Sequence, residues 1–188
     1  MLGLVIIDMQ RWMFRYPERA AQLPLLVANI NALANAFIET GLPIFDIQTI
    51  HKADRSTWSR LMRKYNYSCL IEGTQDAELV DGYCIPEGAN QITKTANSAF
   101  LGTNFEASLN AENITELVLT GVFADGCVGL TAADAAQRGL DVTFVNDAIG
   151  HTRPDHRATI LDWLIEDYEL KMLTSEQVMA RVRGCSFE

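Results

Sequence analysis

Residues 117–128 read Leu-Val-Leu-Thr-Gly-Val-Phe-Ala-Asp-Gly-Cys-Val. An apolar run of the kind buried inside a parallel sheet ends at Gly121 and gives way to a tight turn. Cys127 then opens a predicted helix, Cys127–Arg138, which Gly139 stops. A thiol at a helix N-terminus faces unpaired backbone N–H groups and the positive end of the helix dipole. Both favour the thiolate and are expected to lower the cysteine pKa from about 8.5. Cys127 is therefore a candidate nucleophile. A lone cysteine is more often a small inert hydrophobe, so its surroundings decide.

Working outward, short β-rich runs alternate with longer helical segments, which predicts a parallel sheet built from βαβ units. The strands fall near Leu4–Asp8, Ile44–Thr49, Gln91–Lys94, Leu117–Thr120, Val142–Val145 and Lys171–Leu173. Helices are expected near Leu25–Thr40, Phe105–Asn110, Cys127–Arg138, Asp155–Asp167 and Ser175–Val182. No repeat or linker interrupts the pattern, so residues 1–188 read as one domain. The stretch His51–Gln91 is long and weakly periodic and carries Trp58, Tyr65, Tyr67 and Tyr83. A loop of that length points to a lid or a subunit contact.

A formal net charge of −9 argues against a nucleic-acid or anionic-membrane partner. The first apolar run stops at Asp8, too short for a signal-peptide core or a membrane span. The four cysteines, Cys69, Cys84, Cys127 and Cys185, lack metal-ligand spacing. With no secretion signal, free thiols in a cytoplasmic protein are expected. Cys69, Cys84 and Cys185 read as structural or incidental.

Open parallel sheets bind ligands beyond the carboxyl ends of their strands. Asp8 ends the first strand, Lys94 ends the third and Cys127 follows the fourth. Singly, such a carboxylate caps a turn and such a lysine snorkels. Together they have a coherent chemistry. An Asp takes the thiol proton, and a Lys stabilises both the carboxylate and the developing thiolate. His51, His151 and His156 lie outside these motifs.

These residues resemble the isochorismatase-like cysteine hydrolases, a superfamily that includes nicotinamidases, N-carbamoylsarcosine amidases and isochorismatases. The resemblance covers most of the chain. It rests on Val-Ile-Ile-Asp-Met-Gln (5–10), Thr-Lys-Thr-Ala-Asn-Ser-Ala-Phe (93–100), Gly-Val-Phe-Ala-Asp-Gly-Cys-Val (121–128), Thr-Ala-Ala-Asp-Ala (131–135) and Val-Asn-Asp-Ala (145–148). It implies a three-layer α-β-α fold whose six-stranded, mainly parallel sheet runs 3-2-1-4-5-6. It also implies an Asp8–Lys94–Cys127 triad, a cis Val122–Phe123 peptide, and an oxyanion hole formed by the backbone N–H groups of Phe123 and Cys127. The implied activity is hydrolysis of a small amide, carbamoyl or ureido compound through a thioester. The alternatives are a vinyl-ether hydrolase using Asp8 and Lys94, and a non-catalytic binding paralogue.

Two departures from the family pattern bear on the substrate. Met13 stands where the pattern after Asp8 has Phe, between Trp12 and Phe14, which implies a rebuilt pocket wall. The Asp-x-His pair of the nicotinamidase metal site is missing after strand two, where the chain reads Asp46-Ile-Gln-Thr-Ile-His51. No metal and no cofactor are therefore expected. Gln10, Met13, Phe14, Trp58, Asn97, Phe100 and Asp125 are the candidate pocket residues. Asp147 reads as a loop brace. The expected partners are a small-molecule substrate and further copies of the chain, as a dimer or tetramer.

Overall fold

The computed structural model describes residues 1–184, so Cys185 lies outside the described residues. Six strands, β1 (Leu2–Ile7), β2 (Ile44–Thr49), β3 (Asn90–Lys94), β4 (Glu116–Gly121), β5 (Asp141–Ile149) and β6 (Lys171–Leu173), form one sheet in the order β3-β2-β1-β4-β5-β6. Every neighbouring pair is parallel. The order places β1 at the centre, and its residues alternate between two cores. Leu4 and Ile6 join one apolar cluster, Val5 and Ile7 the other. Burial on both faces explains why β1 reads as an unbroken apolar run rather than an alternating one.

Helices α2 (Leu23–Glu39) and α7 (Ser175–Val182) cover one face. The opposite face is covered by α4 (Phe105–Ala111), α5 (Gly129–Gln137) and α6 (Pro154–Tyr168). Two short helices, α1 (Pro17–Ala20) and α3 (Arg60–Tyr65), flank the carboxyl edge of the sheet. By length and composition Pro17–Glu39 would suffice to cross a membrane. Here Leu26, Ile30, Leu33 and Phe37 of α2 are buried, and the helix packs on β1, β4, β5 and α7. The three-layer architecture and strand order are those the sequence motifs imply.

The excursion 51–91 is more ordered than its weak periodicity suggests. It contains α3 and a 3-10 turn at Gln75–Ala77, and Leu79 forms an antiparallel bridge with Gln10. Trp58, Cys69, Leu70, Val80 and Tyr83 are buried in the same cluster as α2. The segment adds to the core while roofing the carboxyl edge of the sheet.

Candidate active site

The strand order sets Lys94, Thr49 and Asp8 side by side at the carboxyl edge, with Cys127 on the far side of β1. Asp8 leaves β1 with φ 56°, a left-handed conformation that Asp tolerates better than most residues. The Asp8 N–H still donates to Ile47 O at 2.8 Å, so the chain turns only after the strand is anchored. Lys94 is in register with Thr49.

Cys127 is positioned by a turn that only glycine can build. Gly121, with φ +97°, lies so close to β1 that a Cβ there would meet Ile7 O at 2.1 Å. Immediately after it, the Val122–Phe123 peptide is cis. The next segment, Ala124–Val128, is an irregular turn in which Asp125 and Gly126 leave helical φ/ψ. The regular helix begins at Gly129, so Cys127 precedes α5 instead of opening a Cys127–Arg138 helix. Phe123 O accepts from Gly126 N–H at 2.9 Å and Val128 N–H at 3.1 Å, which closes the turn.

Lys94 Nζ is the hub. It donates to Asp8 Oδ2 at 2.8 Å, Thr49 Oγ1 at 2.6 Å, Ala96 O at 3.1 Å and Cys127 Sγ at 3.2 Å. An ammonium has three protons, so four acceptors compete for it. Thr49 Oγ1 in turn donates to Asp8 Oδ1 at 2.9 Å. Burial alone would lower the Lys94 pKa; the Asp8 carboxylate and the Cys127 sulfur outweigh it and hold the ammonium above its ordinary value. The cation is retained in a buried ion pair.

The expectation of a lowered Cys127 pKa is overturned. Burial, and then the Asp8 carboxylate, push the thiol up to about 12, with Lys94 opposing. The helix-dipole argument fails because Cys127 sits ahead of the regular helix and against a carboxylate. The resting sulfur is a thiol beside a potential base, not a preformed thiolate.

Above Cys127 opens a cavity of about 940 Å³. Cys127 and Phe123 line it, and so do the pocket candidates Met13 and Asn97. Five other pocket candidates do not. Gln10 is fully buried, its amide bonded to Thr49 O and Ala77 O at 3.0 Å each. Phe14 packs behind the wall against Phe123, ring centroids 6.4 Å apart. Trp58 turns into the core and donates its indole N–H to Lys52 O at 3.0 Å. Phe100 packs on Phe105 on the opposite face of the sheet, centroids 4.9 Å apart. Asp125 accepts from Thr152 N–H at 2.9 Å and from the Thr152 hydroxyl, which ties the Cys127 turn to the loop after β5.

The sequence reading missed Thr49, Arg15, Arg19 and His51, all on the cavity wall. His51 Nδ1 lies 2.8 Å from Thr57 O, so the proton belongs on Nδ1; burial lowers the His51 pKa and keeps the ring neutral. Two quoted motifs prove to be braces. Thr131 Oγ1 accepts from Ala99 N–H at 3.0 Å, and Asp134 takes the Ser98 hydroxyl, together fixing the loop after Lys94 to α5. Asp147 accepts from the Ser175 N–H and hydroxyl at 2.7 Å each, the bracing role expected of it. Among the described residues no group of three or more His, Cys, Asp or Glu side chains is placed to hold a metal ion.

The family model described as Isochorismatase domain matches residues 3–177. A secreted isochorismatase effector of Verticillium dahliae is 30% identical over 150 residues, covering 78% of this chain and 71% of that protein. An N-carbamoylsarcosine amidase of an Arthrobacter species is 26% identical over 161 residues, covering 83% and 60%. A maleamate amidohydrolase of Pseudomonas putida is 27% identical over 137 residues, covering 72% and 62%. The matches thus span less than two thirds of the two amide-hydrolysing relatives. The crystal structure of N-carbamoylsarcosine amidase from Thermoplasma acidophilum superposes with a TM-score of 0.79 at 25% identity, covering 93% of this chain and 96% of that one.

Proposed function

Because the chain belongs to the isochorismatase family of hydrolases, we propose that it hydrolyses the C–N bond of a small amide, carbamoyl or ureido compound through a Cys127 thioester. One observation carries the reading. Lys94 Nζ bridges Asp8 Oδ2 at 2.8 Å and Cys127 Sγ at 3.2 Å, and Cys127 lines a cavity wide enough for a small molecule. Relatives named for amide hydrolysis support the C–N assignment.

The thiol proton passes to Asp8 as Sγ attacks the substrate carbonyl carbon. Lys94 exchanges its hydrogen bond from the carboxylate, now protonated, to the sulfur, now anionic. The tetrahedral oxyanion is received by the backbone N–H groups of Phe123 and Cys127. The C–N bond then breaks, and Asp8 returns the proton to the departing nitrogen, leaving an acyl-thioester. Water attacks the thioester, Asp8 takes its proton, and release of the acid regenerates the thiol. Burial and the Asp8 carboxylate push the Cys127 thiol up, so proton transfer to the base accompanies the attack of sulfur.

The test is intact-protein mass spectrometry of a quenched reaction, paired with turnover by Cys127→Ala. A mass increase equal to the acyl group, absent from the inactive Cys127→Ala protein, is the expected result. The relative named as an isochorismatase gives the competing outcome its form. If Cys127→Ala keeps near-wild-type activity on a vinyl ether such as isochorismate, and Asp8→Asn does not, the cysteine is dispensable and the amide reading falls.

A further inference from the structure

His51, just past β2, lines the cavity that holds Cys127 and is only 4% exposed. Its backbone is held on both sides: the N–H donates to Leu70 O at 2.8 Å, and the carbonyl accepts from Glu72 N–H at 2.9 Å. Nδ1 lies 2.8 Å from Thr57 O, an atom that can only accept. The ring proton is therefore on Nδ1, and Nε2 carries a lone pair. Thr57 is itself fixed, its hydroxyl accepting from Lys52 N–H at 2.8 Å. The ring is locked in both position and tautomer.

Nothing in the protein uses that lone pair. Among the described residues, the sealed side-chain N and O atoms without a partner are Arg19 Nε and His151 Nδ1. His51 Nε2 has no donor and is not one of them, so it is open, and the open space its ring borders is the cavity. Burial, with the Lys94 cation acting in the same sense, keeps the ring neutral and the lone pair available. The donor set does not suit a metal: among the described residues no group of three His, Cys, Asp or Glu side chains includes His51. Thr49, two residues earlier, gives its hydroxyl proton to Asp8.

We propose that His51 Nε2 accepts a hydrogen bond from the substrate, and hence that the substrate is an amide or ureide with at least one hydrogen on a nitrogen bound to the scissile carbonyl. The inference rests on the amide-hydrolase reading above. In the order β2-β1-β4, His51 stands beyond β2 and the oxyanion donors Phe123 and Cys127 beyond β4, with Asp8 between them. A carbonyl whose oxygen points to the β4 side turns its nitrogen toward Asp8 and β2. One N–H given to His51 leaves the nitrogen lone pair, which becomes basic as the tetrahedral intermediate forms, free to take the proton from Asp8 while the C–N bond breaks. An ester or a tertiary amide sets an oxygen lone pair or a methyl group against Nε2 instead. A site built around one hydrogen bond rejects an analogue that lacks the donor, because its own acceptor is left unmatched.

NMR titrations of Cys127→Ala protein test the contact without turnover. Three amide and ester pairs serve as probes: butyramide and methyl butyrate, succinamide and dimethyl succinate, N-carbamoylglycine and N-methoxycarbonylglycine. At least one amide should bind about 10-fold or more tightly than its ester. That amide, and not its ester, should move the nitrogen resonance of His51 Nε2 upfield, the direction given by an accepted hydrogen bond. Adding His51→Asn sets an amide N–H where Nδ1 stood, which keeps the Thr57 bond and removes the acceptor. It should bring amide and ester within about 2-fold of each other. His51→Gln sets a carbonyl oxygen where Nε2 stood and gives up the Thr57 bond, yet should retain part of the preference. A merely structural His51 reverses that order. The proposal is overturned if no amide outbinds its ester, if the Nε2 resonance stays in place, or if the preference survives His51→Asn better than His51→Gln. Amide binding that depends on His51, together with no turnover of any amide by wild type, would sink the hydrolase reading and leave the contact standing.

Discussion

The side-chain amide of Gln10 and the backbone of Thr49 are hydrogen-bonded in both directions, Nε2 donating to Thr49 O and Thr49 N–H donating to Oε1, each at 3.0 Å. Gln10 thereby mimics a neighbouring strand beyond the end of β1. What it holds is Thr49, whose hydroxyl joins Asp8 to Lys94. Thr49→Val keeps the shape and removes that link, and should lower kcat by about 10-fold with KM little changed. Gln10→Ala strands buried groups on Thr49 and Ala77 and should cost about 2–4 kcal/mol in urea unfolding. Equal losses of activity from Thr49→Val and Thr49→Ser would contradict the role given to the hydroxyl's placement, since Ser retains the group.

Thiol reactivity should follow the base, not the helix. With Cys127 pushed up to about 12, the rate of its alkylation by iodoacetamide, read by peptide mapping, should climb steadily from pH 6 to pH 9. A plateau near neutrality would instead reveal a preformed thiolate. Lys94 is the one neighbour that lowers this pKa. Lys94→Met should therefore slow alkylation at every pH and move the acidic limb of the pH–rate profile upward. It also leaves Asp8 buried without its cation, a loss of about 3–5 kcal/mol in stability.

Chelation separates this site from metal-assisted relatives. Turnover should survive prolonged treatment with EDTA, and elemental analysis of active protein should show less than stoichiometric zinc, iron or manganese. The basis is local. Thr49 and His51 occupy the end of β2 and its continuation, and His51 spends its Nδ1 proton on Thr57 O. Loss of activity on chelation, restored by a divalent metal, would overturn this expectation.

Far from the cavity, Glu116 on β4 receives Arg181 of α7 through two bonds of 2.6 and 2.7 Å, and the Thr143 hydroxyl at 2.8 Å. The Arg181 hydrogen bonds hold the Glu116 carboxyl below its ordinary value of 4.5. A depressed folded-state pKa contributes stability above the unfolded value and loses it as pH falls through the folded one. Glu116→Gln should therefore cost about 1–2 kcal/mol at pH 7. The gap to wild type should shrink as the pH drops below 4.5. A gap independent of pH would assign the cost to packing.

Asp8, Lys94 and Cys127 were legible because each lies at or just beyond the end of a strand, and local sequence marks where a strand ends. Thr49 was not, since its place beside Lys94 is a matter of register between β2 and β3, which no short window contains. Trp58 was misplaced for a related reason. An aromatic residue in a long connection either faces the cavity or turns into the core, and the packing of residues 51–91 against α2 made that choice. Arg19 has an exposed-helix sequence context, and only the fold brings it to the cavity wall. The Cys127 pKa ran opposite to its local signal because burial and Asp8 act across the sheet, whereas the dipole argument uses only neighbours in sequence.

The meeting of Asp8, Thr49, Lys94 and Cys127 beyond four strand ends has a consequence for how the protein comes into being. Asp8 and Thr49 are separated by 41 residues, Asp8 and Lys94 by 86, and Lys94 and Cys127 by 33. Each of these contacts closes a long loop, and parallel pairing across such separations is slow to assemble. Cys127 is brought beside Asp8 and Lys94 only when β3, β2, β1 and β4 have all paired. Recovered catalysis during refolding reports the completion of the β3-β2-β1-β4 core rather than the earlier appearance of helices.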